Sequence, residues 1–217
     1  MTDGETGHSY LRRLVAFVAA YLLGSIPAVY LLGRSRGVDL RRFGTGNVGS
    51  HNLAAAGGPG LAVAGWLADA GKGFVAVSIT RRLTGDPSAP GFALVGALCG
   101  QCWPPLLRWQ GGRGVATWVG GLLALAPADA PLCLGLLAGV ASLQPLQRRL
   151  RPSGAGPAEP GTTVPIAVLL GVLVWPVVSI IRRRPPGVTF AALTAAVTLC
   201  GRRITAGGLA PAGVRWS

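Results

Sequence analysis

Read from its N-terminus, the chain alternates long apolar runs with short polar breaks rich in arginine and glycine. Apolar runs near 14–33, 54–80, 91–107, 115–126, 131–146, 163–181 and 188–200 predict seven membrane-spanning helices, because about 20 apolar residues cross a bilayer core. The fourth and seventh runs are short enough to be half-spans or re-entrant pieces. The fold class this predicts is all-α, a polytopic membrane protein. The expected organisation is a polar N-terminal tail over 1–13, a single transmembrane domain over 14–204, and a Gly/Ala-rich tail over 205–217. The first run is too long for a signal-peptide core and lacks a clear small-residue cleavage site, so it reads as the first span.

Composition strengthens this picture. Half of the residues are hydrophobic and 12% are charged, whereas a soluble domain carries about a quarter charged residues. The chain lacks the polar surface to cover itself in water. Its 34 glycines and 17 prolines are tolerated in spans, and several prolines mark run ends. The net charge of +13 would suit nucleic acid, but the arginines sit in short clusters between apolar runs, the pattern of membrane flanks. Nucleic acid is therefore not an expected partner; the bilayer is. Cys99 and Cys102 have the CxxC spacing but lie inside an apolar run, with no second cysteine pair or nearby histidine, and read as structural thiols.

Arginine counting sets the orientation. The breaks after runs one, three and five, with the C-terminus, hold twelve: Arg34, Arg36, Arg41, Arg42, Arg108, Arg113, Arg148, Arg149, Arg151, Arg202, Arg203 and Arg215. The N-terminus and the other breaks hold seven, namely Arg12, Arg13, Arg81, Arg82, Arg182, Arg183 and Arg184. The first set is expected on the cytoplasmic face.

Two polar loops fall on that face. In RRFGTGNVGSHN (41–52), Arg41 and Arg42 precede Gly44, Thr45, Gly46, Asn47 and Gly49, with Asn52 beyond; in WQGGRGVAT (109–117), Gly111, Gly112 and Gly114 surround Arg113. Glycines ahead of a helix let backbone N–H groups and the helix dipole converge on an anion, and arginine recognises phosphate with two parallel hydrogen bonds. Such glycines also simply turn the chain, with arginine marking the interface. Two loops together predict a site for two phosphates, or for two ends of one charged ligand. Asp69 and Lys72, three apart in GWLADAGKGF, share one helix face inside a span, where ionisable groups are costly and usually functional. Lys72 is the only lysine among the 20 basic residues. A buried pair that merely joins helices is the plainer alternative. His51 is a candidate proton acceptor beside two phosphates, or a hydrogen-bonding loop residue. No Ser-His-Asp set and no metal cluster stands out, so neither an acyl-enzyme, a metal nor a cofactor is expected.

YLLGSIPAVYLLG, VDLRRFGTGNVGSHN, LADAGKGF and GQCWPPLLRWQGGRGVAT resemble, in that order, motifs of the bacterial acyl-phosphate:glycerol-3-phosphate acyltransferase family; the resemblance runs from about Tyr21 to Thr117. It implies a seven-span inner-membrane enzyme that moves a fatty acyl group from acyl phosphate to the 1-hydroxyl of glycerol 3-phosphate, giving lysophosphatidic acid and phosphate. Carried over residue by residue, it implies catalytic roles for Ser25, Lys72 and Arg113, joined by His51 on the reading above. It implies phosphate binding by Arg41, Gly44, Thr45, Gly46, Asn47, Gly49, Asn52, Gly111, Gly112, Gly114 and Thr117. Asp69, Gln101 and Arg202 are expected to shape the site. Gln101 replaces the family's histidine, and CGRRITAGG (200–208) keeps Arg202 of a C-terminal His-Arg-x-Asn motif, with Gly201 in the histidine position. A relative that binds these phosphates without turnover, and a small-anion transporter, are the other classes considered; no internal repeat supports the latter.

Overall fold

The break in the first apolar run is chemical. Pro27 lacks a backbone N–H and disfavours helical geometry at Ile26, so the run forms two helices, α1 (Asp3–Gly24) and α2 (Ala28–Arg34), instead of one span over 14–33. The computed structural model of the chain describes residues 3–142 and 163–208. The remaining described elements are α3 (Ser50–Thr84), α4 (Ala89–Cys102), a 3₁₀ turn (Pro105–Leu107), α5 (Val115–Leu125), α6 (Ala130–Ser142), α7 (Thr163–Ile181) and α8 (Pro186–Gly208). Among the described residues there is no strand, and the all-helical expectation holds. Two stretches, Gly7–Arg34 and Ser50–Thr84, are long and apolar enough to cross a membrane by length and composition, with shorter apolar helices at Val115–Leu125 and Leu170–Ile181.

Two other boundaries differ from the expected runs. The run over 91–107 stops as a helix at Cys102, because Pro104 and Pro105 cannot continue it. α3 is broken at Gly58 (φ 83°, ψ 172°), just before Pro59. Its first piece, 50–57, stays with the polar loop, and the long crossing begins at Pro59. α1 also starts at Asp3, well inside the stretch expected to be a tail. The end of the fifth run (143–146), Arg148, Arg149, Arg151, Arg215 and the tail from 209 onward lie outside the described residues.

Side-chain contacts fix which helix ends meet. Arg12 Nη1 donates to Thr84 O (3.2 Å), Arg13 pairs with Asp86 (2.8 Å), Arg81 Nη2 donates to Leu125 O (2.8 Å), and Arg182 pairs with Asp129 (2.8 Å). Arg12, Arg13, Arg81 and Arg182, with Arg184 also on Asp129, therefore gather at one end of the bundle. At the other end Arg202 Nη2, late in α8, donates to Gly111 O (2.8 Å), so both glycine loops and α8's C-terminal half share a face.

The core is a fully buried cluster around Leu94, Leu98, Trp118, Leu122, Trp175 and Leu199, drawn from α4, α5, α7 and α8. α1 meets α4 along a seam of alanines, Ala16 and Ala20 against Ala93 and Ala97. Where apolar lipid removes the usual hydrophobic drive between helices, small side chains allow the close backbone approach that stabilises packing. α3 crosses α5 in this way. A Cβ on Gly73 would overlap the Thr117 carbonyl, and one on Gly120 would overlap the Ala70 carbonyl.

Candidate functional site

The site forms where α1 breaks. Ser25, Ile26 and Pro27 line one side of a small cleft, whose other walls are Val29 of α2, Val48 of the first glycine loop, Asp69 of α3, Gln101 of α4, Pro104, Leu107, Gly111 and Gly112. Residues from both glycine loops therefore meet around one space, as their shared face predicted.

α3 supplies the charge. Leu67, Phe74 and Val75 are exposed on its outer faces, while Asp69, Lys72 and Gly73 are buried. Lys72 Nζ donates to Asp69 Oδ1 and to Gln101 Oε1, both at 2.7 Å, and Gln101 Nε2 donates to Asp69 Oδ2 at 2.7 Å. The three side chains close a triangle in which the single planar amide of Gln101 serves as acceptor and donor at once. A buried ion pair is stable only with such geometry and with its remaining lone pairs used. Thr117 is fully buried, and its Oγ1 donates to Asp69 O (3.0 Å), which commits it to holding α3. Lys72 itself does not line the cleft; its partners Asp69 and Gln101 do.

The second loop is clamped from two sides. Gly112 N donates to Gln101 O (3.0 Å), and Arg202 Nη2 donates to the carbonyls of Gly111 (2.8 Å) and Gly112 (3.4 Å). Gly114 caps α5 with φ +78°, a left-handed conformation that favours glycine. Arg113, just ahead of that helix, has a buried Nε without a hydrogen-bond partner among the described residues, and so has Arg202. Burial and the neighbouring Arg202 charge push the Arg113 guanidinium below its ordinary value. Two guanidinium groups with orphaned buried donors at a helix N-terminus form a strong attractor for an anion.

The first loop is organised differently from expectation. Asn52 is its anchor, donating through Nδ2 to the carbonyls of Leu40 (3.1 Å), Phe43 (2.9 Å) and Asn47 (3.1 Å) and accepting from Thr45 N (3.2 Å). Arg41 is bound by Asp39 through Nε (3.0 Å) and Nη2 (2.7 Å) and by the Tyr30 hydroxyl (3.1 Å). This partnership holds the Asp39 carboxyl at about 2, well below its ordinary 3.8, and raises Arg41. Gly44, Thr45 and Gly46 form an exposed tip, Asn47 and Gly49 are half-buried, and of this loop only Val48 lines the cleft. His51 is exposed and is not among the residues lining the cleft. Ser25 lines it, but its hydroxyl donates to Tyr21 O (2.8 Å). The sequence reading passed over Trp103, whose ring lies 5.6 Å below the Arg202 guanidinium and whose carbonyl accepts from the Tyr21 hydroxyl (3.0 Å), and also Tyr30. Trp103 stands two residues from Gln101, which was a signal for it, whereas Tyr30 lies eleven residues from Arg41 and meets it only in the fold.

Comparison with known proteins bears on this arrangement. The family model for glycerol-3-phosphate acyltransferase matches residues 14–202. A glycerol-3-phosphate acyltransferase of Rubrobacter xylanophilus is 43% identical over 118 residues, covering 54% of this chain and 58% of that protein. One from Moorella thermoacetica, glycerol-3-phosphate acyltransferase 2, is 49% identical over 117 residues, 52% of this chain and 59% of the relative. The alignments thus span less than two thirds of these relatives' length. In fold, the chain is similar to the crystal structure of PlsY (YgiH), an integral membrane glycerol 3-phosphate acyltransferase in its glycerol 3-phosphate form. That likeness has a TM-score of 0.75 and 25% identity, covering 94% of this chain and 96% of the other.

Proposed function

This chain belongs to the glycerol-3-phosphate acyltransferase family, and on that premise we propose that it transfers a fatty acyl group from acyl phosphate to the 1-hydroxyl of glycerol 3-phosphate, giving lysophosphatidic acid and phosphate. The observation that carries this reading is the convergence of Arg113 and Arg202, each with an orphaned buried Nε, on the glycine loop at the start of α5. They hold one phosphate there, helped by the unused N–H groups of the first helical turn. The apolar wall of Ile26, Val29 and Leu107 receives the first carbons of the acyl group.

The reaction forms a bond from the glycerol oxygen to the acyl carbonyl carbon and breaks the bond from that carbon to phosphate. The hydroxyl proton passes to a substrate phosphate oxygen, since His51 stands off the cleft. Phosphate is already a good leaving group, so positioning and charge stabilisation do most of the work. The site is assigned to the cytoplasmic face of a bacterial inner membrane, with both phosphate substrates arriving from that side.

The test is phosphate release by the purified protein in lipid, given palmitoyl phosphate with and without glycerol 3-phosphate. Acceptor-dependent release that disappears in Arg113→Ala supports the enzyme. Release without acceptor indicates a hydrolase, and binding without release indicates a relative that has lost turnover.

A further inference from the structure

The sole lysine of the chain lies directly behind a cleft that, on the reading above, handles an acyl phosphate. Acyl phosphates acylate free amines. The lone pair of a neutral Nζ would attack the acyl carbonyl carbon, the C–N bond would form, and the C–O bond to phosphate would break. Phosphate would leave with that electron pair, and the nitrogen's proton would pass to it. The product is a dead amide on Lys72 and a spent donor. A guanidinium is a far weaker nucleophile than an amine, so Arg113 and Arg202 do not carry this hazard to the same degree.

The triangle answers it. Both atoms that meet Lys72 Nζ, Asp69 Oδ1 and Gln101 Oε1, are acceptors at 2.7 Å, and an ammonium donating to two acceptors has no lone pair to offer. Gln101 is itself fixed. Its Nε2 is tied to Asp69 Oδ2 at 2.7 Å, and its backbone carbonyl accepts from Gly112 N at 3.0 Å. A side chain on Gly112 would crowd Gln101 Nε2 at 2.9 Å. Asp69 is held in turn through its carbonyl by Thr117. We infer that Gln101 is a positioning residue which, with Asp69, cages Lys72 as an ammonium, so that its charge serves the cleft while its amine is withheld from the acyl donor. The inference rests on the donor class proposed above, but the cage can be read without turnover.

Two measurements test it on the full chain in detergent micelles. Because there is one lysine, protein grown with ¹⁵N-lysine gives a single Nζ ammonium resonance, visible when hydrogen bonding protects it from exchange with water. Intact-mass and peptide analysis after incubation with palmitoyl phosphate reads acylation of Lys72 whether or not the protein turns over. The wild type is expected to show the resonance and no acylated Lys72. Gln101→Met, similar in shape but without the amide, is expected to lose the resonance and acylate about tenfold faster or more, the effect of losing one hydrogen bond to a buried charge. Gln101→Glu is expected to behave as wild type, since a protonated carboxyl also accepts from Lys72 and donates to Asp69. A purely space-filling Gln101 would leave Met indistinguishable from wild type, which would overturn the inference. If Gln101→Met does not fold, the wild type decides: an absent resonance or an acylated Lys72 overturns the cage. Absence of glycerol-3-phosphate-dependent release, with the resonance and protection intact, would instead overturn the functional reading alone.

Discussion

Arg113 offers the sharpest comparison between charge and geometry. Its guanidinium is half-buried, its Nε has no partner among the described residues, and Arg202 stands beside it. Arg113→Ala removes both the charge and the parallel donors, and kcat/KM is expected to fall about 100-fold. Arg113→Lys keeps the charge and loses the planar fork, so a fall of about tenfold is expected; equal losses in phosphate-release assays would refute a bidentate contact. Asn52 contributes differently, since four backbone groups of the 40–47 segment depend on its amide. Asn52→Ala strands buried carbonyls and should cost about 2 kcal/mol, read as a lower Tm and faster amide exchange confined to that loop. The Asp39–Arg41 pair adds a pH window. Folded Asp39 titrates at about 2 against an ordinary 3.8, so its contribution is complete above about pH 4 and is lost as pH falls through 2. Loop exchange rates should be flat from pH 8 to 4, after correction for intrinsic exchange, and rise below that; Asp39→Asn should show the raised rates at every pH.

Between helices, the site depends on how closely α3 and α5 approach. Gly73 and Gly120 let the two backbones touch, which brings Thr117 Oγ1 within hydrogen-bond reach of the Asp69 carbonyl. Gly73→Ala forces a Cβ against the Thr117 carbonyl, an overpacking that costs about 1–3 kcal/mol and moves Asp69 off Thr117. Gly71, two residues away, faces open space, so Gly71→Ala should leave activity unchanged and Tm unchanged or slightly raised, since alanine is the better helix former; a matched loss in both variants would mean that the α3–α5 crossing is not what Gly73→Ala disturbs. This contrast also shows what was legible beforehand. The Asp69–Lys72 face follows from three-residue spacing alone, and the glycine loops announce themselves by local composition. Which helix Gly73 would touch does not, because the contact joins segments over forty residues apart. The helix breaks were hidden for a related reason: Pro27 and the Pro104–Pro105 pair sit inside apolar runs whose hydropathy is continuous, so a window sees one span where the backbone sees a corner.

Over the whole molecule, the two ends are distinguished by how their charges are used. At one end Arg13, Arg182 and Arg184 are neutralised by Asp86 and Asp129, while Arg12 and Arg81 cap the carbonyls of Thr84 and Leu125. At the other, the buried Nε atoms of Arg113 and Arg202 have no partner among the described residues. Arginine counting set these two ends apart beforehand, because each break contributes independently of how the helices pack; among the described residues, Arg12, Arg13, Arg81, Arg182 and Arg184 of the smaller set gather at one end. The exposed loop tip was beyond reach, since a glycine-rich stretch looks the same whether its residues face a ligand or water. The arrangement predicts an orientation. On the function proposed above, the end that receives glycerol 3-phosphate faces the cytoplasm, in keeping with the excess of arginine in the breaks on that side. With the four native cysteines replaced by serine, Arg82→Cys should react with a membrane-impermeant maleimide added to intact spheroplasts. Thr45→Cys, at the exposed tip of the first glycine loop, should react only after the membrane is opened. Labelling of both from the same side would break the two-ended arrangement, and the reverse order would place the cleft on the outer surface and overturn the cytoplasmic side proposed for it.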